Sequence, residues 1–138
     1  MAARERALVE LATDACWGLL QGSRVGLLAW TAPDGPTVRP VNLAVAGRTI
    51  TFRTAAGSAM TQQVDDSLVA LQVGATDGVE RTGWSVLVRG TASVSFSSEE
   101  ASPAEPWLRG ARPVTVTVHA REVTGRVLVD DEGQIPHG

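Results

Sequence analysis

The chain of 138 residues carries 12 basic residues, every one an arginine, against 15 acidic ones, for a net charge of −3 at pH 7. That length builds one compact domain with a real core and leaves no room for a second. The acidic balance excludes nucleic acid as the main partner, because binding to a phosphate backbone draws on positive charge.

The first element predicted is a helix over 13–21, where Thr13 and Asp14 are cap residues, Cys16, Leu19 and Leu20 form an apolar stripe, and Gly22 with Ser23 ends it. Residues 1–12 read as an arm, and "ERALVEL" within it suits either an extended segment or a backward extension of the helix. From Val25 the signals are those of antiparallel β-structure. "RVGLLAWTA" and "TVRPVNLAVA" flank the turn sequence "PDGP" and make a hairpin. "AGR" turns into "TITFRT", where Ile50 and Phe52 alternate with Thr49, Thr51 and Arg53, so one face is apolar and the other polar. "SAMTQQVDDS" has helical spacing with Ser58 at its start, and "LVALQVGA" returns to strand. "ERTGWSVLVRGTASVSFS" is long enough for two ordinary strands, and Gly90 in its middle marks a bend or bulge. A surface segment over 97–113 with at most a short helix follows, then "VTVTVHAREVTGRVLVD" as a last strand or pair, and a frayed tail over 131–138. Strands in such short succession point to a small barrel.

Five pieces in order, "ACWGLL", "RVGLLAW", "RPVNLAV", "TFRTAAGS" and "GWSVLVRG", resemble the pyridoxamine 5′-phosphate oxidase-like family, the flavin-binding split barrels, in its short bacterial form. The likeness covers residues 13–96 well and the C-terminal third loosely. It implies a mainly β fold, a six-stranded antiparallel split β-barrel of Greek-key type with one N-terminal helix and short connecting helices. It also implies a homodimer with two equivalent interfacial sites, each built from both chains and holding FMN, with F420 or haem in some relatives.

Position by position, the resemblance puts Arg39, Val41 and Asn42 beside the isoalloxazine ring, Thr54 and Ser58 at the phosphate, and Trp84 with Ser85 at the ring edge. An indole is a suitable wall for a flat ring. Where relatives carry a Lys or Arg, this chain has Ala59 and Met60. The remaining phosphate partners are the two hydroxyls, backbone N–H groups near Gly57, the start of the helix at Ser58, and Arg53 or Arg39 reaching in. Strand alternation puts Arg53 on the face opposite Phe52 and Thr54.

Other constellations carry less. His119 and Arg121 share a strand face, in the reverse order of the Arg-x-His substrate clamp of true pyridoxamine phosphate oxidases, and read as a solvated or interfacial face. The basic position that would hold a substrate phosphate beyond "RPVN" falls on Ala44. Both departures argue against pyridoxamine phosphate as substrate. One cysteine and two histidines, scattered, make no metal site, and Cys16 cannot form an internal disulfide. The purest apolar run, "VGLLAW", is too short to cross a membrane and no signal peptide is legible, so the expectation is a soluble cytoplasmic protein. The function expected is an FMN-dependent oxidoreductase acting on a small molecule. The reading from another class is a barrel that has shed FMN and uses the dimer cleft for non-redox binding or catalysis.

Overall fold

A computed structural model describes residues 7–77, 82–96 and 113–129. The segment expected to be a surface loop with a short helix, residues 97–112, and the tail over 131–138 lie outside the described residues. In chain order the elements are β1 (Ala7–Glu10), α1 (Thr13–Gln21), β2 (Val25–Ala32), β3 (Gly35–Ala46), β4 (Thr49–Ala55), α2 (Ala59–Val64), β5 (Ser67–Asp77), β6 (Thr82–Phe96) and β7 (Pro113–Val129).

All strand pairs are antiparallel, in the order β1-β7-β4-β3-β2-β5-β6, and β6 pairs back onto β7. Strands β2 to β7 thus close a six-stranded ring, as the resemblance implies, and β1 adds a seventh strand outside it. The ambiguous arm resolves as extended: Ala7 to Glu10 run against Val129 to Arg126. β7 manages this because it is 17 residues long, so its first half serves β4 and its last residues serve β1.

Period-two alternation makes the barrel. On β2 every second residue, Gly26, Leu28, Trp30 and Ala32, is buried. Ile50 and Phe52 on β4 meet Val118 and Val116 of β7 in register, and all four are buried. Leu71, Val86 and Val88 join them inside. Each side chain of that size contributes about 1.5 to 3 kcal/mol by leaving water.

α1 closes one side of the barrel with Cys16, Trp17 and Leu20 buried, and Leu19 only partly so. Its expected cap is displaced: Ala12 holds the cap position, with no side-chain hydrogen bond, and Thr13 is already helical. β1 makes the difference, because its end draws the Leu11 N–H onto the Gly125 carbonyl at 2.9 Å and sets where the helix can begin. Gly125 allows a close approach there, since a Cβ would stand 2.5 Å from the Cys16 sulfur. Burial pushes the Cys16 thiol above its ordinary pKa, so it stays protonated at neutral pH and is a core residue.

α2 follows β4 directly. Asp65, at its end, accepts the Val94 N–H at 2.9 Å, and the Asp66 N–H donates to the Ala92 carbonyl at 2.8 Å, which ties the helix to β6. The helix is thereby held against β2, β5 and β6, beside the candidate site. No helix among the described residues is long and apolar enough to cross a membrane.

Candidate functional site

The inner face of the β2–β3 hairpin extends beyond the packed core. Strand alternation puts Thr37, Arg39, Val41 and Leu43 of β3 on one face. Val41 and Leu43 are buried, whereas Arg39 is exposed and Thr37 half-buried. Thr37 stands opposite Trp30, and Arg39 opposite Leu28. With Thr54 of β4 and the exposed side of α2, they enclose a cavity of about 460 Å³. Ala59, Met60 and Gln63 close it from the helix, and Asp34 stands at the hairpin end.

Trp30 is the wall of this cavity. Its indole N–H donates to the Gln63 Oε1 at 2.8 Å. An indole nitrogen only donates, so it fixes the amide with oxygen toward the tryptophan and leaves the NH₂ group for the cavity. Arg39 donates to the carbonyl of Val38 at 3.0 Å and keeps its remaining N–H groups. The Thr37 hydroxyl donates its proton to the Gly35 carbonyl at 3.0 Å and so is used within the hairpin. The cavity thus presents donors from Arg39, Thr54 and Gln63, against the carboxylate of Asp34 among the described residues.

The role of Ser58 follows from counting protons. Thr61 Oγ1 donates its proton to the Ala55 carbonyl at 2.8 Å, so in the 2.7 Å contact between the two hydroxyls Ser58 must be the donor. Ser58 Oγ also accepts the Thr61 N–H at 3.2 Å as the cap of α2. Its hydroxyl proton is therefore used inside the turn and reaches a ligand only if it leaves Thr61. α2 itself has six residues, too short a helix to offer much of a dipole.

Of the residues expected at a cofactor, Arg39, Thr54 and Ser58 meet in this cavity. Val41 lies deeper on the same face, in the core. Asn42 has the opposite parity and is exposed on the outer face, paired with Val25. Arg53 is also exposed, on the strand between Phe52 and Thr54, and faces away from the cavity as alternation requires. Trp84 and Ser85 belong elsewhere: they line a separate cleft of about 380 Å³ with Val25, Gly26 and Leu27. That cleft is at the start of β2 and the Trp30 cavity near its end, roughly 15 Å apart at the rise of an extended strand. One chain does not bring the two halves of the expected site together.

Five of the cavity residues were not anticipated: Trp30, Ala32, Asp34, Thr37 and Gln63. Thr37 was within reach, since it is two residues before Arg39 on one strand. Gln63 was not, because which side of a six-residue helix faces the barrel depends on tertiary contacts. Ala44, the position that would carry a substrate-phosphate cation, is exposed on the outer face. No group of three or more metal-ligating side chains occurs among the described residues.

This architecture recurs in known proteins. The sequence profile described as pyridoxamine 5′-phosphate oxidase matches residues 12–129. The uncharacterized protein Rv0080 of Mycobacterium tuberculosis is 34% identical over 135 residues, which cover 91% of this chain and 89% of that protein. The solved structure of the FAD binding protein from Mycobacterium smegmatis is 29% identical, with a TM-score of 0.68 over 88% of this chain and 98% of the other. An FAD-binding protein from Mesorhizobium loti shares the fold, with a TM-score of 0.69 at 19% identity over 90% of this chain and 98% of the other. A match that runs from the start of α1 to the end of β7 takes in the whole barrel and both clefts, and the chain belongs to the pyridoxamine 5′-phosphate oxidase family.

Proposed function

We propose that the chain is a flavin-binding oxidoreductase acting on a small molecule, with the phosphate end of the flavin in the inner cavity. The observation that carries this reading is the convergence of the Arg39, Thr54 and Gln63 donors on one cavity beside the Trp30 indole. The likeness to an FAD binding protein supports it. A bound flavin supplies hydride transfer at its N5 atom. The chain's own residues bind and orient: Arg39 offers a charge-assisted bond, the Thr54 hydroxyl a neutral one, and the buried indole keeps the cavity wall rigid.

Charge favours FAD over FMN. The FMN phosphate is a monoester with close to two negative charges, whereas each phosphate of the FAD pyrophosphate has one ester and one anhydride link and carries a single charge. With Ala59 and Met60 uncharged and Asp34 at the rim, the cavity suits the lower charge density. The same observation supports a second reading, in which the cavity holds an uncharged ligand without redox chemistry. Arg39→Gln decides between them. On the flavin reading it weakens FAD by about tenfold, the worth of one charge-assisted hydrogen bond, and leaves riboflavin unchanged. An equal effect on both, or none on either, contradicts a phosphate at Arg39.

The second half of the site comes from pairing. The outer face of the β2–β3 hairpin exposes Val25, Leu27 and Val38, at 59%, 45% and 50%. Leu27 stands beside Pro40, and Val38 beside Ala29, so these side chains form one continuous apolar surface. Two chains joined isologously through it cover that surface. Such pairing lets Trp84 and Ser85 of one copy reach the ring of a flavin held by the other. Light scattering is expected to give twice the 14.5 kDa of one chain. Leu27→Asp is expected to give monomers with weakened flavin binding, and a wild-type monomer at micromolar concentration contradicts an interfacial site.

A further inference from the structure

Across β2 from the inner cavity, the outer face of the sheet holds a larger one of about 540 Å³. Small-molecule pockets span roughly 300 to 1,000 Å³. Its floor is apolar and low, because Ala29 and Ala70 lie opposite each other in register, with Leu68 and Pro36 on either side. Leu68 is 68% exposed, a large apolar side chain left in water. Among the described residues, charge appears on one rim alone, as Arg89, Arg121 and Glu122.

Arg121 is there because of an irregularity in β7. Pairing runs Arg89 to Glu122 and then Gly90 to Ala120, so Arg121 is an extra residue with no partner on β6. Regular alternation would put Arg121 and Glu122 on opposite faces of the sheet. A bulge re-aims a side chain, and both now line the outer cavity. Gly90 makes this possible, since a Cβ there would fall on the His119 carbonyl.

The rim carries a net positive charge. Arg89 and Glu122 approach to only 3.9 Å with side chains 63% and 56% exposed, a long contact in water that holds neither firmly. Arg121 makes no ion pair with a described residue.

We infer that this outer cavity binds a small molecule with an apolar body and a single carboxylate, the body on the Ala29–Ala70 floor and the carboxylate on Arg121 and Arg89. A guanidinium presents two parallel N–H groups that match a carboxylate. A monoanion fits better than a phosphate monoester, because the Glu122 carboxylate beside the arginines repels a second negative charge. The site shares no cation with the inner cavity and does not depend on what that cavity holds. Its floor residue Ala29 stands beside Val38, so the cavity borders the surface proposed above for pairing of chains.

The test uses the full chain and a matched pair of probes, 2-naphthoate and the neutral 2-naphthamide, titrated by calorimetry at low ionic strength. Naphthoate is expected to bind about tenfold more tightly than the amide, the worth of a charge-assisted hydrogen bond pair beside an apolar surface. Arg121→Gln is expected to erase most of that preference, and Arg121→Lys, which keeps the charge but not the fork, to retain part of it. Ala70→Phe fills the floor and is expected to weaken both probes. Melting temperatures measured alongside separate these effects from unfolding. Equal affinity for the two probes, no binding of either, or a preference that survives Arg121→Gln in folded protein overturns the inference.

Discussion

Trp30→Ala is expected to lower the melting temperature by roughly 10 to 20 °C, because removing a buried tryptophan costs about 3 to 5 kcal/mol and a domain of this size loses a few degrees per kcal/mol. Trp30 is only 7% exposed, packs with the core cluster, and forms one wall of the inner cavity. The domain's total stability is on the order of 5 to 15 kcal/mol, so this one change removes a large part of it. Trp30→Phe separates packing from hydrogen bonding. It keeps a ring and strands the Gln63 oxygen, at a cost of about 1 to 3 kcal/mol when that oxygen lacks water. Thermal melts followed by circular dichroism check both variants. On the flavin reading Trp30→Phe also weakens ligand binding, because Gln63 is then free to turn its amide. A loss of less than about 3 °C for Trp30→Ala would mean that the indole is not a structural wall.

Ala59→Lys is expected to tighten FMN by about tenfold, since hydrogen bonds to charged groups contribute ~1.5 to 3 kcal/mol before side-chain ordering is subtracted. Position 59 lines the inner cavity on the exposed side of α2, one residue after the Ser58 cap. FAD is expected to gain less, having one charge per phosphate, and riboflavin nothing. Raising the salt concentration should shrink the FMN gain, because part of it is Coulombic. Fluorescence titration of the three flavins against both proteins reads all of this. A riboflavin gain equal to that of FMN would show that the phosphate lies away from α2.

Much of the barrel was legible because period two is a local property. Ile50 and Phe52, Leu28 and Trp30, Val86 and Val88 fall on the inner face by parity alone, and each is buried. Parity also separates Asn42 from Arg39 and Val41, so that grouping those three around one ring asks a single strand to face both ways. What parity cannot see is a change of register. Gly90 signalled a bulge, but the extra residue sits on the opposite strand, at Arg121, and nothing local to that position marks it. The start of α1 was misplaced for a similar reason: Thr13 is a good cap in isolation, and the β1–β7 pairing decided otherwise.

The site was legible in part. Arg39, Thr54 and Ser58 line one cavity, Arg39 reaching it from a different strand than Thr54. The hydrogen-bond network that ties up Ser58 depends on Thr61, whose hydroxyl turns inward to the Ala55 carbonyl. Trp84 and Ser85 were placed beside the same ring, and their position in a second cleft is a matter of barrel geometry. On the flavin reading, a ring edge supplied by Trp84 would therefore have to come from a second copy.

The most direct test of a flavin in the inner cavity is to titrate the purified chain with FAD and FMN, following the visible spectrum and flavin fluorescence, with F420 and haem as further probes. The account predicts saturable binding at one flavin per chain, FAD more tightly than FMN, and loss of the phosphate-dependent part in Arg39→Gln. A colourless protein that changes the spectrum of none of the four, while folded and paired, would contradict it.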